Sequence, residues 1–374
     1  MPWEEKSIML QREEFIRKAL QETVPFTHLC ESYGISRTIG YRLLKRYHIE
    51  GLKGLEDRSK ANFNHPNKTK PSIEDAILKL RDKHDTWGAR KIYAYLTKQN
   101  IKDLPAISTI TEILKRNGYI SKEASLKRQA LTRFEREMPN DLWQMDFKGH
   151  FKLKDKQSCY PLTTIDDHSR FSLCLKVCVN EALMPVKMHL THTFNEYGLP
   201  IQINVDNGPP WGNSCLVRYT ALTVWWMQLG IIVSHSRPRH PQTNGKNERF
   251  HRTLKEDVLN KGVINNLTEA QELFDIWRHI YNNERPHQGI GMSVPADRYQ
   301  PSPRPMPNKL PTIEYDSHAI VKKISHRHYV RYKGHEYLVG KAFIGHYIEL
   351  RPCETKRMLE VYFGKNKIYT YNLE

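Results

Sequence analysis

The sequence predicts a multidomain chain in three parts: tandem all-α helix-turn-helix units, an α/β unit built on one mixed sheet, and a small all-β barrel. Three observations carry this expectation. Apolar residues recur at helical spacing through the first 120 residues; from Leu142 short β-rich runs alternate with helices; after the stretch 295–311, which holds six prolines, only strand-like runs remain. At 374 residues the chain can build cores without disulfide or metal staples.

In the first unit, residues 1–60, Phe15, Ile16, Ala19 and Leu20 mark one helix, and residues 26–33 form a short second one stopped by Gly34. Ser36 then caps a third helix over 37–47. That helix is expected to bury Ile39, Leu43 and Leu44 and to expose Arg37, Thr38, Arg42, Lys45 and Arg46. A basic second helix after a Gly-containing turn is the element that enters a major groove, which makes Arg37, Thr38 and Arg42 candidate DNA contacts. A second three-helix unit spans 71–120: Ile73, Ile77 and Leu80 on one helix, Trp87-Gly-Ala-Arg-Lys-Ile-Tyr leading another, and a third from Ser108 to Gly118. Together the two read as a bipartite DNA-reading arm. Residues 121–139, charged and without clear period, read as a linker.

The α/β unit, 140–300, opens with strands at 142–147, 160–166 and 171–177. A helix over 182–197 follows, then strands at 201–205 and 231–234 with a helix between them, then helices over 244–260 and 269–282. Three strands in succession followed by alternation predict one sheet covered by helices. In the last unit, 312–374, residues 329–339 read as a hairpin turning at Lys333-Gly334, with strands near 347–350, 359–363 and 368–371.

Lys plus Arg number 58 against 41 Asp plus Glu, a balance of +17 that predicts an anionic partner such as nucleic acid. Residues 1–140 carry +9 of it. No apolar run reaches the roughly 18–20 residues that span a bilayer, and no signal-peptide pattern opens the chain, so a cytoplasmic protein, nucleoid-associated when bound, is expected. The six cysteines, Cys30, Cys159, Cys174, Cys178, Cys215 and Cys353, show no zinc-ligand spacing and are expected as thiols.

Asp146 ends the apolar strand Leu-Trp-Gln-Met-Asp-Phe, and Asp206 ends Ile-Gln-Ile-Asn-Val-Asp just before Asn-Gly. Acids at the ends of neighbouring strands point into the cleft beyond a sheet edge. The next acid after Asp206 is Glu248, where Phe250, Leu254 and Val258 define a buried helix face and Glu248 points away from it. Three carboxylates on two strands and a helix can hold two hard cations about 4 Å apart, the arrangement that stabilises both oxygens of an in-line phosphoryl displacement.

Trp143-Gln-Met-Asp-Phe-Lys, Val205-Asp-Asn-Gly, His240-Pro-Gln-Thr-Asn-Gly-Lys-Asn-Glu-Arg-Phe-His and Tyr281-Asn-Asn-Glu-Arg-Pro-His resemble the integrase-core motifs of bacterial insertion-sequence transposases, the superfamily that includes retroviral integrases. The resemblance covers about 300 residues. It implies an RNase H-like catalytic core over 140–300 and a DDE triad of Asp146, Asp206 and Glu248 holding two Mg²⁺ ions, with Mn²⁺ as a substitute. It also implies double-stranded DNA partners, both element ends and target, and a homo-oligomer on DNA. Two departures stand out. The interval between Asp206 and Glu248 is 41 residues where the family's commonest spacing is 35, suggesting added residues around 209–219, and the zinc-binding module of retroviral integrases is replaced by helix-turn-helix units.

Asp166 and Asp167 are read as acids that shape a turn, with Arg170 as their partner, and His168, His235, His240 and His287 as hydrogen-bonded structural residues. Around Glu248, Arg237, Arg239, Lys246, Arg249, Arg252 and Lys255 concentrate positive charge suited to a DNA backbone. Trp225, Trp226 and Trp277 are expected in the core, and Trp211, in a loop after two prolines, is a candidate to stack on a base. The reading is therefore a transposase that binds terminal repeats, hydrolyses DNA at the element ends and joins the 3′-hydroxyl to target DNA. The alternatives are a metal-dependent nuclease without strand transfer and a domesticated sequence-specific DNA-binding protein.

Overall fold

The computed structural model describes residues 7–58, 68–120, 135–212, 219–236, 245–353 and 357–373. It divides the chain into two compact units, Met1–Lys68 and Thr69–Glu374.

The first unit packs α1 (Ile8–Leu20), α2 (Phe26–Ser32) and α3 (Arg37–Glu50) around Phe15, Ile16, Leu29, Cys30, Leu43 and Leu55. Ser36 caps α3 by accepting from the Ile39 amide, and Gly34, at φ +63°, makes the turn before it. Arg37, Thr38 and Arg42 lie exposed on α3. Ile39, expected in the core, is exposed instead. Gly40 takes the contact position: a β-carbon there would stand 2.7 Å from Cys30 Sγ, so α3 approaches its neighbours backbone-first, and that turns Ile39 outward.

In the second unit α4 (Pro71–Lys83), α5 (Ala89–Lys98) and α6 (Ile107–Arg116) enclose Ile77, Trp87, Ile92, Ile110 and Leu114. They are followed by β1 (Leu142–Phe147), β2 (Phe151–Lys152), β3 (Ser158–Asp166), β4 (Ser172–Cys178), α7 (Leu183–Tyr197), β5 (Gln202–Val205), α8 (Ala221–Gln228), β6 (Ile232–His235), α9 (Gly245–Leu254) and α10 (Leu267–Asn283). Strands run in the order β4-β3-β1-β5-β6, with β2 on the start of β3. The first three are antiparallel neighbours, and β5 and β6 run parallel to β1, the mixed RNase H-like sheet that was expected. Alternation along β1 decides its faces: Trp143, Met145 and Phe147 join the core with α7 and α8, which leaves Gln144 and Asp146 on the α9 side. There Phe250 and Leu254 pack with Ile165, Leu175, Phe274 and Trp277. The α-helix predicted to run to residue 260 ends at Leu254 and continues as a π-turn over Lys255–Leu259, leaving Val258 only half-buried.

The C-terminal strands are β7 (Ile320–Lys323), β8 (Tyr329–Tyr332), β9 (His335–Leu338), β10 (Tyr347–Cys353), β11 (Met358–Phe363) and β12 (Asn366–Asn372). They form an open sheet, β12-β11-β10-β7, and a separate hairpin, β8-β9; pairing among the described residues closes no barrel, because β8 and β9 pair as strands only with each other. This sheet shares the core of the mixed sheet rather than hanging from it. Asn366 makes the join: its Oδ1 accepts from the Val233 amide at 2.9 Å and its Nδ2 donates to Ile231 O at 3.0 Å, pairing the edge of β6 as a further strand would.

Candidate active site

Parallel pairing of β1 with β5 sets Leu142, Trp143 and Gln144 opposite Gln202, Ile203 and Asn204. Continued two residues, that register brings Asp146 level with Asp206 at the strand ends. Ile203 and Val205 go to the core, and the alternate positions carry polar groups: Gln202 Nε2 donates to Ser234 Oγ (2.7 Å) and Asn204 Nδ2 to Ser236 Oγ (3.0 Å). Asp206 accepts from the Gly208 amide at 3.1 Å, and its carbonyl meets His235 Nδ1 at 3.0 Å.

Burial first, then the charges of Asp206, Glu181 and Glu248, push the Asp146 carboxyl up to about 7, against a smaller opposing effect of the Phe147 amide. Asp206 is also raised, mainly by burial. Glu248 stands exposed in the first turn of α9, near enough for its charge to bear on Asp146. Among the described residues no three acidic, imidazole or thiol groups stand close enough to enclose an ion as they lie. The donor set nevertheless suits a hard cation: Asp146 and Asp206 are half-buried carboxylates, and the charges of Asp206, Glu181 and Glu248 act against ionisation of Asp146, a penalty that a bound cation would relieve.

Behind Asp146 lies a buried relay. Thr163, directly opposite it on β3, donates its hydroxyl to Asp146 O (2.8 Å) and contacts His251 Nε2 at 2.7 Å. The hydroxyl hydrogen is spent on the carbonyl, so His251 donates Nε2–H to Thr163. Burial, with Lys148 adding to it, pushes His251 down to about 3 and keeps the ring neutral. The relay ties α9, one turn past Glu248, to the strand carrying Asp146. Sequence reading missed it because a histidine on an apolar helix face carries no distinguishing signal. It missed Glu181 too, a half-buried acid between β4 and α7 whose charge reaches both aspartates.

Asp166 and Asp167 are fully buried and shape the β3–β4 turn: Asp166 accepts from Asn140 N, Ser169 N and Ser169 Oγ, and Asp167 from Gln144 Nε2 and Arg136 N. Arg170 pairs with Glu135 at 2.8 Å rather than with either of them. Lys246 is engaged inside the protein, 2.5 Å from Asp167, and burial with the Arg170 charge lowers its ammonium to about 8. Arg249, Arg252 and Lys255 are exposed on or just past α9, whereas Arg237, Arg239, His240 and Cys215 lie outside the described residues. Trp211 is no base-stacking platform: it is 1 % exposed, stacked between Phe147 and Trp226, so the two prolines steer it into the core. Asp257 is held by Thr86 Oγ1 (2.7 Å) and Trp277 Nε1 (3.0 Å).

Comparison with known proteins matches integrase core domain models over residues 136–241 and 229–295. A helix-turn-helix domain matches over 11–62, a homeodomain-like domain over 39–114, and the IS481 family transposase C-terminal domain over 319–374. The chain is 27 % identical over 252 residues to an uncharacterized 39.2 kDa protein of insertion element IS476 from Xanthomonas euvesicatoria, covering 66 % of this chain and 69 % of that one. It is 23 % identical over 239 residues to a 31.7 kDa protein of insertion element IS407 from Burkholderia multivorans, covering 61 % and 82 %. Among solved structures, the HTLV-2 integrase catalytic core domain in complex with magnesium aligns at TM-score 0.33 and 19 % identity, over 44 % of this chain and 99 % of that one. No helix among the described residues is long and apolar enough to cross a membrane. The chain thus carries integrase-core matches across its mixed sheet, helix-turn-helix matches before it and an IS481 family transposase C-terminal domain match after it, the part-by-part likeness of an insertion-sequence transposase of the integrase-core superfamily.

Proposed function

We propose that this protein is a DNA transposase that binds the terminal repeats of its element, hydrolyses the phosphodiester at each end and joins the freed 3′-hydroxyl to target DNA. The observation that carries the reading is the parallel register of β1 on β5, which continued two residues sets Asp146 level with Asp206 just past the strand, with Glu248 opening the helix packed on the same face. In this reading Asp146, Asp206 and Glu248 are the metal ligands. Two Mg²⁺ ions bound there, or Mn²⁺ in their place, would stabilise the attacking and leaving oxygens of the displacement. The exposed Glu248 side chain turns in to complete the set, while the Thr163–His251 relay holds the Asp146 backbone still. Arg37, Thr38 and Arg42 on α3 read base edges, and Arg237, Arg239, Arg249, Arg252 and Lys255 meet phosphates near the reacting strand, while Lys246, paired inside the protein with Asp167, anchors the start of α9. Joining two ends in one event calls for at least two active sites, hence a homo-oligomer on DNA.

The test is a reaction of the full chain with end-bearing duplex, supercoiled target and Mg²⁺. Joined products are expected. Cleavage without joining would make the protein a nuclease, and end binding without cleavage would make it a DNA-binding protein alone.

A further inference from the structure

The helical unit of residues 71–119 is docked on the catalytic core instead of standing free. Beyond the Thr86–Asp257 bond, Lys83 meets Glu284 at 3.2 Å, Lys261 meets Asp85 at 2.8 Å, and Ile280 packs against the apolar core of the helical unit. Lys91 of α5, the exposed Arg249 of α9 and Arg285 just past α10 line this seam near enough for the two guanidinium charges to act on each other and on Lys91. Arg285 has an 11 % exposed side chain and a buried Nε without a hydrogen bond; its ion-pair partner, Asp257 at 3.8 Å, is already bonded by Thr86 and Trp277. Lys91 is half-buried and has neither a hydrogen bond nor an ion pair among the described residues. Arg285 and Arg249 are the cations that act on it, Asp257 and Glu256 the acids, and burial with those guanidinium groups lowers its ammonium to about 7. His287 is kept neutral by burial and by the charge of Arg285, with Lys91 and Arg170 adding to it.

Desolvated cations without hydrogen-bond partners are costly, and the cost is relieved when an anion accepts their protons. A phosphate matches the donors present, two planar guanidinium forks and one ammonium. The excess of three cations over Asp257 and Glu256 is one charge, that of a single phosphodiester. Arg249 directly follows Glu248, about 100 degrees around the same helix.

We propose that Lys91, Arg249 and Arg285 form a binding site for one DNA backbone phosphate in the seam between the helical unit and the core. The inference rests on the transposase reading for its ligand. It gives a task to two motifs otherwise without one, residues 87–93 and 283–287: together they seat the strand beside Glu248 and couple the docked helices to the reacting phosphate.

The experiment measures equilibrium binding of the full chain to an end-bearing duplex over a salt series, for wild type, Lys91→Gln, Arg285→Gln and Lys91→Arg. Thermal unfolding in sodium phosphate and in sodium chloride at equal ionic strength runs in parallel. Each Gln variant should bind the duplex about tenfold more weakly, with a salt slope lower by about one, and should lose the extra stabilisation by phosphate. Lys91→Arg should keep both, and it should not share the wild type's loss of affinity from pH 6 to pH 8, where Lys91 gives up its charge. Arg285 is the more buried of the two; should its variant fail to fold, Lys91→Gln on the half-exposed α5 carries the test. Unchanged affinity and slope in a folded Lys91→Gln protein would overturn the proposal. Phosphate stabilisation lost with duplex binding intact would also overturn it, leaving a site for free phosphate only. Because the readout is binding, a chain that behaves as expected here yet forms no joined product contradicts the transposase reading and not this site.

Discussion

Replacing Thr163 by Val keeps the shape of the side chain and deletes the hydroxyl that joins His251 to the Asp146 carbonyl. His251 is 8 % exposed and Thr163 is fully buried, so water cannot take over either bond. A buried donor left unpaired costs about 1–3 kcal/mol, and here that falls on the contact that seats α9 against β1. If roughly 2 kcal/mol of positioning is lost from the reacting state, the rate of end cleavage drops about 30-fold at 1.36 kcal/mol per tenfold. Duplex affinity should stay within about twofold, because α3 belongs to a separate unit of the fold and the hydroxyl touches no exposed group. Single-turnover cleavage of a labelled end duplex over a Mg²⁺ titration measures both effects: the Val variant should need more Mg²⁺ and turn over more slowly. Thr163→Ser should behave as wild type. A Val variant with unchanged rate and Mg²⁺ midpoint would refute the relay as a positioning device, and a slow Ser variant would show that the methyl group, not the hydroxyl, matters.

Three other outcomes follow from the same coordinates. Asn366→Ala should leave the Val233 amide and Ile231 carbonyl unpaired at the β6 edge, a loss of about 2–4 kcal/mol that hydrogen exchange at Val233 will register as lost protection; unchanged exchange would contradict the clamp. His251 and His287 are buried neutral, burial pushing both rings well below the usual imidazole range, so the folded state resists the protons that the unfolded chain accepts near 6.5. Their contribution is whole above that pH and is lost as pH falls below it, by up to about 1.4 kcal/mol per pH unit for each ring, which thermal unfolding from pH 7 to pH 5 will show as a drop that His251→Asn reduces. Asp146 has the opposite sign: its carboxyl, pushed up to about 7, holds a proton more tightly in the folded state than in the unfolded chain, so stability is lost as pH rises from 3.8 to about 7, and Mg²⁺ should raise the melting temperature more at pH 8 than at pH 6.

What was legible in the sequence is what local period and strand adjacency control. The bounds of β1 come straight from the alternation of Trp143, Met145 and Phe147 with Gln144 and Asp146, and the Ser36 cap with the exposed Arg37-Thr38 pair from capping and helical spacing. What stayed hidden depends on partners distant in sequence. Trp211 looked exposed because it follows prolines in a loop, yet Phe147 and Trp226 offered it a stacking slot. Ile39 looked buried because its spacing fits Leu43; the close approach allowed by Gly40 rotated the face. The π-turn at Lys255–Leu259 carries Asp257, whose partners Thr86 and Trp277 lie 171 positions earlier and 20 later. The open C-terminal sheet reads like a barrel in sequence because strand runs reveal number but not closure.

The central claim is that Asp146, Asp206 and Glu248 act together on DNA. Its most direct measurement sets Asp146→Asn, Asp206→Asn and Glu248→Gln against Glu256→Gln in one Mg²⁺-dependent cleavage and joining assay, with end-duplex binding followed in parallel. The first three should abolish both products while binding persists, and Glu256→Gln, about 12 Å further along the helix axis at 1.5 Å per residue, should retain them. Products from an Asp146 or Asp206 variant within about tenfold of wild type, or loss confined to Glu256→Gln, would contradict the account.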